Sequence, residues 1–239
     1  MPLPQLKMKF PTLLAACVLT LSAPAWAGET TMADGVVPAS EEPGHIVRYR
    51  SPRFVLYTNN FLPGHVTLYH SHRNDLVAVI AGDSIAVNQK PGGEPTEQKV
   101  PAGTVVLFPY ADLPSPYVHR ISVAGELPFI NIGVEFLDAI PSAETRAQLT
   151  PLQLDSVTMV SDNRRGRGYS VALAAGQTLT IPGQGSAVLL VAVDEGRLQL
   201  DDTPWTVTKG DFRFFESTRS KRVSNSSTHG IKLILFHAY

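Results

Sequence analysis

Cysteine is nearly absent from this sequence. The one cysteine among 239 residues is Cys17, and it lies in a segment that we expect to be removed from the mature protein. A mature chain without cysteine excludes disulfide bonds, thiolate metal sites and a cysteine nucleophile. An apolar core must then stabilise the fold, and about 210 residues suffice for one large domain or two small ones.

An excess of charge of either sign is also missing. Lys and Arg total 20 and Asp and Glu total 21, so there is no electrostatic reason to expect a nucleic-acid partner. One basic cluster, Arg164-Arg165-Gly166-Arg167, interrupts this balance. Because no basic stripe continues from it, we interpret the cluster as a solvated turn.

Residues 1–27 have the pattern of a secretory signal peptide. Lysines precede an apolar run from Phe10 to Leu21, and Ala25-Trp26-Ala27 forms a small-x-small cleavage site. We therefore expect cleavage before Gly28 and export, to the periplasm in a bacterium. The run is shorter than the roughly 20 residues of a membrane helix, so we expect no transmembrane span.

A second interpretation of this segment stays open. Leu14-Ala15-Ala16-Cys17 matches a bacterial lipobox, which would make the protein a lipoprotein anchored through Cys17. Few apolar residues precede this cysteine and many follow it, which favours the signal peptide.

Helical periodicity is almost absent from the rest of the chain. Short apolar segments such as HVTLYHS, LVAVIAG, TVVLFP and PFINIGVEF are separated by Gly, Pro, Asn and Asp, which predicts an all-β fold. The exception follows Pro141, where Ser142 can cap a short helix. We therefore predict a flexible leader over residues 28–44, two β domains over residues 45–137 and 156–239, and a linker over residues 138–155.

The second half of the chain repeats the first. Four landmarks recur in the same order: Pro63-Gly64 and Ala175-Gly176, residues 76–87 and 189–200, residues 101–109 and 208–216, and residues 119–123 and 221–225. A duplicated unit of many short strands with regular turns predicts a barrel or a sandwich in each half.

The segment PGHVTLYHSHRND, residues 63–75, contains two histidines one residue apart. Residues two apart on a strand point to the same face. His70 and His72 can therefore converge on one point inside a barrel as metal ligands. The alternative is a pair of polar side chains on a solvated strand face.

These features resemble the cupin superfamily, and in particular its two-domain members, the bicupins. The first cupin motif is matched by Gly64, His70, His72, Asp75 and Gly82, and the second by Gly103, Pro109 and His119. The chain departs from the pattern where Asp75 replaces the usual Glu, where Val123 replaces the usual Asn, and where the gap before His119 is longer. The resemblance implies two jelly-roll barrels, also called double-stranded β-helix barrels, in tandem.

The resemblance also implies a metal site in the first barrel. His70, His72 and His119 would supply three nitrogens and Asp75 one oxygen, a set that suits Fe, Mn, Zn, Ni or Cu and is too rich in nitrogen for Mg or Ca. Asp75 can also be interpreted as a turn residue, which would leave a site of three histidines. The other histidines have no such partners, and we interpret them as structural or surface residues: His45, His65, His229 and His237.

The second barrel is predicted to lack this chemistry. Pro182 and Gln184 stand where the first half has His70 and His72, and Lys221 stands where it has His119. Proline offers no ligand atom, and a lysine ammonium repels a cation. We expect a metal-free partner barrel. The alternative is that Lys221 and Arg222 bind an anionic ligand.

The implied function is metal-dependent chemistry on a small organic molecule, of the dioxygenase, decarboxylase or isomerase type. Tyr110, Tyr117 and Arg120 lie beside the ligands or in the adjoining loop and are candidate substrate-binding residues. The candidates for the apolar barrel walls are Val66, Leu68, Val77, Val79, Phe108 and Phe129, and strand parity decides which of them face inward. The alternative function is a non-catalytic periplasmic protein that binds a sugar or another small ligand. The exposed strands of such barrels also favour a homodimer.

Overall fold

The first half of the chain folds into two facing β-sheets. A computed structural model describes residues 35–183, 186–216 and 219–239. The strands of the first half are β1 Val36–Pro38, β2 Ile46–Arg50, β3 Phe54–Phe61, β4 Tyr69–His72, β5 Leu76–Ile80, β6 Ser84–Gln89, β7 Thr96–Val100, β8 Val105–Phe108, β9 Tyr117–Ala124 and β10 Phe129–Phe136. One sheet has the order β1-β4-β9-β6-β7 and the other β2-β3-β10-β5-β8.

The second half has the same arrangement of strands. They are β11 Val157–Asn163, β12 Gly166–Leu173, β13 Thr178–Ile181, β14 Val188–Ala192, β15 Gly196–Leu200, β16 Thr203–Val207, β17 Phe212–Phe215, β18 Lys221–Asn225 and β19 Ile231–Ala238. The sheet orders are β11-β12-β19-β14-β17 and β13-β18-β15-β16. Strands β2 to β10 correspond in order to strands β11 to β19. Strand β1 has no counterpart in the second half. The predicted all-β fold of two repeated barrels is confirmed.

The turns of the repeat also correspond. Gly64 and Gly176 adopt positive φ angles of 80° and 75°, a conformation that glycine reaches without a steric penalty. The Gly64 amide donates to the Val123 carbonyl at 3.2 Å, and the Gly176 amide donates to the Asn225 carbonyl at 2.9 Å.

A short helix, α1 Ala143–Gln148, lies between the two sets of strands. The Ser142 hydroxyl accepts a hydrogen bond from the Thr145 amide at 3.1 Å, which satisfies one of the free amides of the first helical turn. The predicted cap and helix are confirmed. The boundaries of the two domains and of the linker stay a prediction.

The predicted leader is not flexible throughout. Strand β1 pairs in parallel with β4, with Val37 opposite His70. Glu42 is buried, and its carboxylate accepts hydrogen bonds from the amides of Gly44 at 2.7 Å and Leu68 at 3.2 Å. Residues 36–44 are therefore part of the first barrel, which corrects the prediction for that part of the leader. Residues 1–34, with the predicted signal peptide and Cys17, lie outside the described residues.

A shared apolar core joins the sheet β2-β3-β10-β5-β8 of the first barrel to the sheet β11-β12-β19-β14-β17 of the second. Alternate residues of β3, β5 and β10 point away from the first barrel and pack against residues of β14 and β19. Its buried members are Phe54, Leu56, Val77, Val79, Ala81, Val105, Ile132, Val134, Phe136, Ala187, Leu189, Val191, Val193, Ile234, Phe236 and Ala238. Both faces of the sheet formed by strands β3, β10 and β5 are consequently buried, one inside the first barrel and one against the second.

The interior of the second barrel is filled by apolar side chains. They include Tyr169, Leu173, Leu179, Ile181, Leu190, Leu198, Trp205, Val223, Leu233 and Leu235. Lys221 lies at the edge of this core and binds the Asp201 carboxylate at 2.7 Å. Among the described residues no group of histidine, cysteine or acidic side chains that can hold a metal ion lies in the second barrel.

Strand register separates the two halves at the position of the histidines. In the first barrel, Val66 lies opposite Ser122, whereas His70 lies opposite His119. The chain advances four residues from Val66 to His70 but only three from His119 to Ser122 on the partner strand. One extra residue between Val66 and His70 therefore forms a β-bulge. Strands β13 and β18 pair from Thr178 to Ile181 without such a bulge.

This bulge shifts the correspondence that the sequence predicts. Ile181 lies opposite Lys221, so Ile181 occupies the place of His70, and the prediction of Pro182 at that place is wrong by one residue. Gln184 lies outside the described residues. The interpretation of the second barrel is unchanged, because isoleucine offers no metal ligand.

A buried ion cluster links the barrels at a second place. The Asp75 side chain is 0% exposed and accepts hydrogen bonds from the Nε atoms of Arg164 at 2.8 Å and Arg165 at 2.7 Å. Both arginines lie in the turn between β11 and β12. Arg165 also donates to the Ala139 carbonyl at 3.0 Å, and Arg164 binds Asp112 at 2.7 Å. The prediction of a solvated basic turn is therefore wrong, since Arg165 is only 2% exposed.

We expect Asp75→Ala to lower the free energy of unfolding by about 3–5 kcal/mol, because it leaves two buried guanidinium groups without their carboxylate. Asp202→Asn is the control. It removes the charge of an exposed carboxylate paired with Arg222, keeps a side chain that tolerates the positive φ of 69° at this position, and should change the free energy by less than about 1 kcal/mol. Denaturant unfolding measures both, and equal effects would contradict a structural role for the buried cluster.

The same cluster predicts a pH dependence. Burial raises the pKa of Asp75, but the hydrogen bonds and charges of Arg164 and Arg165 outweigh burial and hold the pKa below its usual value. The stabilisation is then complete above the unfolded pKa of about 4 and is lost as the pH falls through the lower folded pKa. The difference in unfolding free energy between wild type and Asp75→Asn should shrink as the pH is lowered from 7 to 2. A difference that stays constant or grows would contradict this assignment.

Candidate metal centre

Three histidines meet inside the first barrel. His70 and His72 point inward from β4, and β9 pairs with β4 so that His119 lies directly opposite His70. All three side chains are buried, with exposures of 1%, 2% and 6%. One ring nitrogen of each lies within 4.8 Å of those of the other two. The pleat of two paired strands thus brings together the three histidines that the sequence singles out.

Two of the rings are oriented by hydrogen bonds to oxygen. The Nδ1 atom of His70 lies 3.0 Å from the Leu68 carbonyl, and that of His119 lies 3.0 Å from Oδ1 of Asn88. These oxygens can only accept, so each Nδ1 carries the proton and each Nε2 keeps its lone pair. Such outer hydrogen bonds are typical of metal-ligating histidines.

The third ring makes the closest approach in the cluster. Nε2 of His72 lies 3.1 Å from Nε2 of His119, and the buried Nδ1 of His72 has no hydrogen-bond partner. Two nitrogen lone pairs at this separation repel each other unless a proton or a cation lies between them. The donor set therefore fits a bound cation.

All three imidazoles are held in the neutral form that metal binding requires. Burial lowers the pKa of His70 to about 4 and that of His119 to about 2. Burial, with the neighbouring histidines, lowers the pKa of His72 well below its usual value. Their lone pairs are consequently available at neutral pH.

The structure does not bring Asp75 to the histidines. Its carboxylate is taken up by Arg164 and Arg165, and the group of possible ligands contains His70, His72 and His119 alone among the described residues. The expected set of three nitrogens and one oxygen is corrected to three nitrogens. The reason is that the second barrel inserts two positive charges beside this carboxylate, a contact that no local sequence pattern indicates.

A cavity of about 110 Å³ adjoins the histidines. Its wall is largely apolar and aromatic, with several amides. The lining residues are His45, Tyr57, Asn59, Phe61, His70, His72, Leu76, Ala78, Ile80, Ala86, Asn88, Gln98, Val100, Val106, Phe108, Tyr110, His119, Ile121, Phe129, Asn131 and Gly133. This volume restricts a ligand to a very small molecule, because pockets for drug-sized ligands are larger, at roughly 300–1,000 Å³.

Two of the six candidate wall residues, Phe108 and Phe129, line the cavity. Val77 and Val79 belong to the core shared with the second barrel, and Val66 and Leu68 are about half exposed, at 53% and 49%. Val77 and Val79 therefore face the second barrel, and Val66 and Leu68 face the solvent.

The candidate substrate-binding residues have three different positions. The Tyr110 ring stacks on His72 with a centroid distance of 4.9 Å and lines the cavity. Tyr117 stacks on Tyr110 at 4.7 Å, and its hydroxyl accepts a hydrogen bond from Asn88 at 3.0 Å. Arg120 points to the opposite face of β9, where its Nε donates to Gln89 at 2.8 Å. Arg120 therefore does not line the cavity.

His45 is a cavity residue that the sequence analysis missed. It is 6% exposed, its ring meets the edge of His70 with centroids 4.6 Å apart, and Nδ1 donates to the Ala39 carbonyl at 2.8 Å. It precedes β2 and has no motif spacing to the other histidines, so no local pattern reveals it. His237, also interpreted as structural, is buried against Ser186.

Comparison with solved structures shows which fold this is. Matches include AerE from Microcystis aeruginosa (TM-score 0.56, 13% identity, 83% of this chain and 98% of that chain) and salicylate 1,2-dioxygenase from Pseudoaminobacter salicylatoxidans (TM-score 0.53, 12% identity, 79% and 69%). Another is the oxalate decarboxylase of Bacillus subtilis, described with Mn(II) centres (TM-score 0.50, 11% identity, 77% and 68%). The chain has the bicupin fold, two cupin barrels in tandem.

No protein-family profile and no curated protein matches the sequence significantly. No helix in the described part of the chain is long and apolar enough to cross a membrane.

We expect Asn88→Leu to weaken metal binding by about 10- to 100-fold, because His119 loses the acceptor that orients its ring. Gln89→Leu is the matched control, since Gln89 is the neighbouring residue and contacts Arg120 outside the cavity. Competition with a chromophoric chelator measures both affinities. Unchanged affinity in Asn88→Leu would show that this hydrogen bond does not support the site.

Proposed function

We propose that this chain is an exported bicupin that binds one divalent transition metal in its first barrel and there binds or transforms a small organic molecule. The observation that carries the proposal is the meeting of three buried, neutral imidazoles beside a cavity. Keeping three such polar rings in a barrel interior is costly unless they have a partner.

The donor set narrows the choice of metal. His70, His72 and His119 would hold the ion through three ring nitrogens, and imidazole suits Fe, Mn, Zn, Ni and Cu better than Mg or Ca. When bound, such an ion supplies Lewis-acid activation and a template for a substrate.

The cavity wall is mainly apolar and aromatic and carries no charged side chain among the described residues. Phe61, Phe108 and Phe129 give the cavity an aromatic lining that disfavours water. Burial raises the pKa of Tyr110, so its hydroxyl stays protonated and can serve as a neutral hydrogen-bond donor or acceptor. No aspartate, glutamate, lysine or arginine is among the lining residues in the described part of the chain.

Metal-dependent dioxygenase, decarboxylase or isomerase chemistry is the activity that we propose. A dioxygenase and a decarboxylase are among the solved structures with the same fold, which supports this range without selecting within it. The lack of a charged acid or base in the cavity wall favours a second candidate, a non-catalytic protein that binds a small ligand such as a sugar.

The surroundings of the protein are also part of the proposal. The predicted signal peptide over residues 1–27 supports export to the periplasm, and the lipobox ending at Cys17 supports an anchored lipoprotein instead. Strand β7 is an exposed sheet edge that supports pairing with a second copy of the chain. Balanced charge supports a small molecule rather than nucleic acid as the partner.

Metal analysis of protein purified without a metal-binding tag tests the proposal. Wild type should contain close to one equivalent of Fe, Mn, Zn, Ni or Cu, and His70→Ala/His72→Ala should contain none. His229→Ala is the matched control, because this histidine is exposed in the second barrel and should leave the metal in place. Absence of metal after repletion with each ion, or metal retained in the double variant, would contradict the site.

Oxygen uptake and CO₂ release then separate the two candidate functions. Metal-loaded wild type that consumes O₂ or releases CO₂ with small phenols or carboxylic acids, where the His70→Ala/His72→Ala variant does not, supports an enzyme. Saturable binding of such compounds without any turnover supports the binding protein.

A further inference from the structure

The inner face of the first barrel is built in layers across strands β3 and β10. Phe61 lies opposite Phe129, Asn59 lies opposite Asn131, and Tyr57 lies opposite Gly133. All six line the cavity that adjoins the histidines. A layer of amides therefore lies between an aromatic layer and a tyrosine in a wall that is otherwise largely apolar.

The amide layer is buried and only partly satisfied. Asn59 and Asn131 are 6% and 3% exposed. Nδ2 of Asn59 donates to Oδ1 of Asn131 at 2.9 Å, whereas Oδ1 of Asn59 and the hydroxyl of the fully buried Tyr57 have no hydrogen-bond partner. An unsatisfied buried acceptor destabilises a fold, and two of them side by side on one cavity wall indicate a group that binds there.

Close packing holds the tyrosine in its place. A Cβ atom at Gly133 would lie 2.3 Å from the Tyr57 ring, so the glycine is what allows the ring to lie against β10. The Tyr57 ring also stacks on His45 with centroids 4.9 Å apart, and His45 in turn contacts His70. The unsatisfied hydroxyl is thus separated from the histidine cluster by a single ring.

The chemistry of the two free groups defines what binds them. The Asn59 oxygen accepts a hydrogen bond, and the Tyr57 hydroxyl has a proton to donate, because burial raises its pKa well above the usual value. No lysine or arginine lines the described cavity wall. Glu135, the next inward residue of β10, is bound by Asn74 at 2.9 Å and is not a lining residue.

We propose that Asn59, positioned by Asn131, and Tyr57 form a subsite for a hydroxyl group on an uncharged part of the ligand. A hydroxyl donates to the Asn59 oxygen and accepts from Tyr57 at the same time. A carboxylate can only accept, and it would face an amide oxygen with no cation to balance its charge. The specificity is therefore for a small hydroxylated molecule and against an acid at this end. This inference rests on the proposed function only for the metal that the histidines hold.

Three matched chelators test the subsite. They are 5-hydroxy-4-pyranones with a hydroxymethyl, a methyl or a carboxylate group at carbon 2, which share the hydroxy-ketone that binds a divalent ion. Titration calorimetry on the metal-loaded full chain should rank the hydroxymethyl compound about tenfold tighter than the methyl compound, and the carboxylate weakest.

The variants locate the effect. Asn59→Leu/Asn131→Leu removes both amides at similar volume, so that no single partner is left unsatisfied, and it should abolish the preference for hydroxymethyl over methyl while keeping the metal. Tyr57→Phe should reduce that preference. Asn60→Leu, at the exposed neighbouring position, is the matched control and should leave the ranking unchanged.

Each result bears on the subsite separately from the metal. Metal-loaded protein that binds the hydroxymethyl and methyl compounds equally, or the carboxylate most tightly, overturns the subsite and leaves the metal site standing. A ranking that survives in Asn59→Leu/Asn131→Leu also overturns it. If the chain holds no metal, the proposed function fails. The same ranking measured on the metal-free chain still tests the subsite. Failure of all three compounds to bind the metal-free chain would overturn the subsite as well.

Discussion

Strands β3, β10 and β5 of the first barrel form a sheet that is buried on both faces, and most of the structure follows from that constraint. A pleated strand sends successive side chains to opposite faces. One face, with Val77, Val79 and Val134, packs on the second barrel. The other, with Ala78, Ile80 and Asn131, encloses the cavity. The second barrel is therefore needed to cover the outer face of the sheet that carries the cavity wall, and this gives it a structural role after the loss of any ligand set.

The ion cluster adds an electrostatic link to this apolar contact. Asp75 follows the histidine strand by three residues, yet its carboxylate is bound by two arginines from the second barrel. Arg164 also binds Asp112, at the end of the turn Tyr110–Asp112 whose tyrosine stacks on His72. A contact between barrels thus keeps a carboxylate away from the histidines and fixes one wall of the cavity.

The local features of the site were predictable from the sequence. Spacing of two on a strand places His70 and His72 on one face, and the second motif locates His119. Glycines at turns identify the repeat, and Ser142 identifies the helix. Strand parity in RFVLYTNNF also places Tyr57, Asn59 and Phe61 on one face.

Long-range contacts account for the errors. Whether Val77 or Ala78 faces the cavity depends on which face of the sheet meets the second barrel. The partners of Asp75 lie 89 and 90 positions away in the chain, and His45 reaches His70 from the loop before β2. The bulge between Val66 and His70 shifts the correspondence between the two halves by one residue, and an alignment of the two half-sequences does not reveal this shift. Resemblance to the cupins predicted an acidic ligand here, but the charges that surround Asp75 decide its role.

The central claim is that the first barrel binds a transition metal through three histidines and no carboxylate. X-ray absorption at the metal edge of the loaded protein measures this directly, because the fine structure reports imidazole scattering and the nearest-neighbour atoms. The account predicts three imidazole ligands in wild type and the same spectrum in a folded Asp75→Asn variant. A spectrum with fewer than three imidazoles, or one that loses an oxygen ligand in Asp75→Asn, would contradict it.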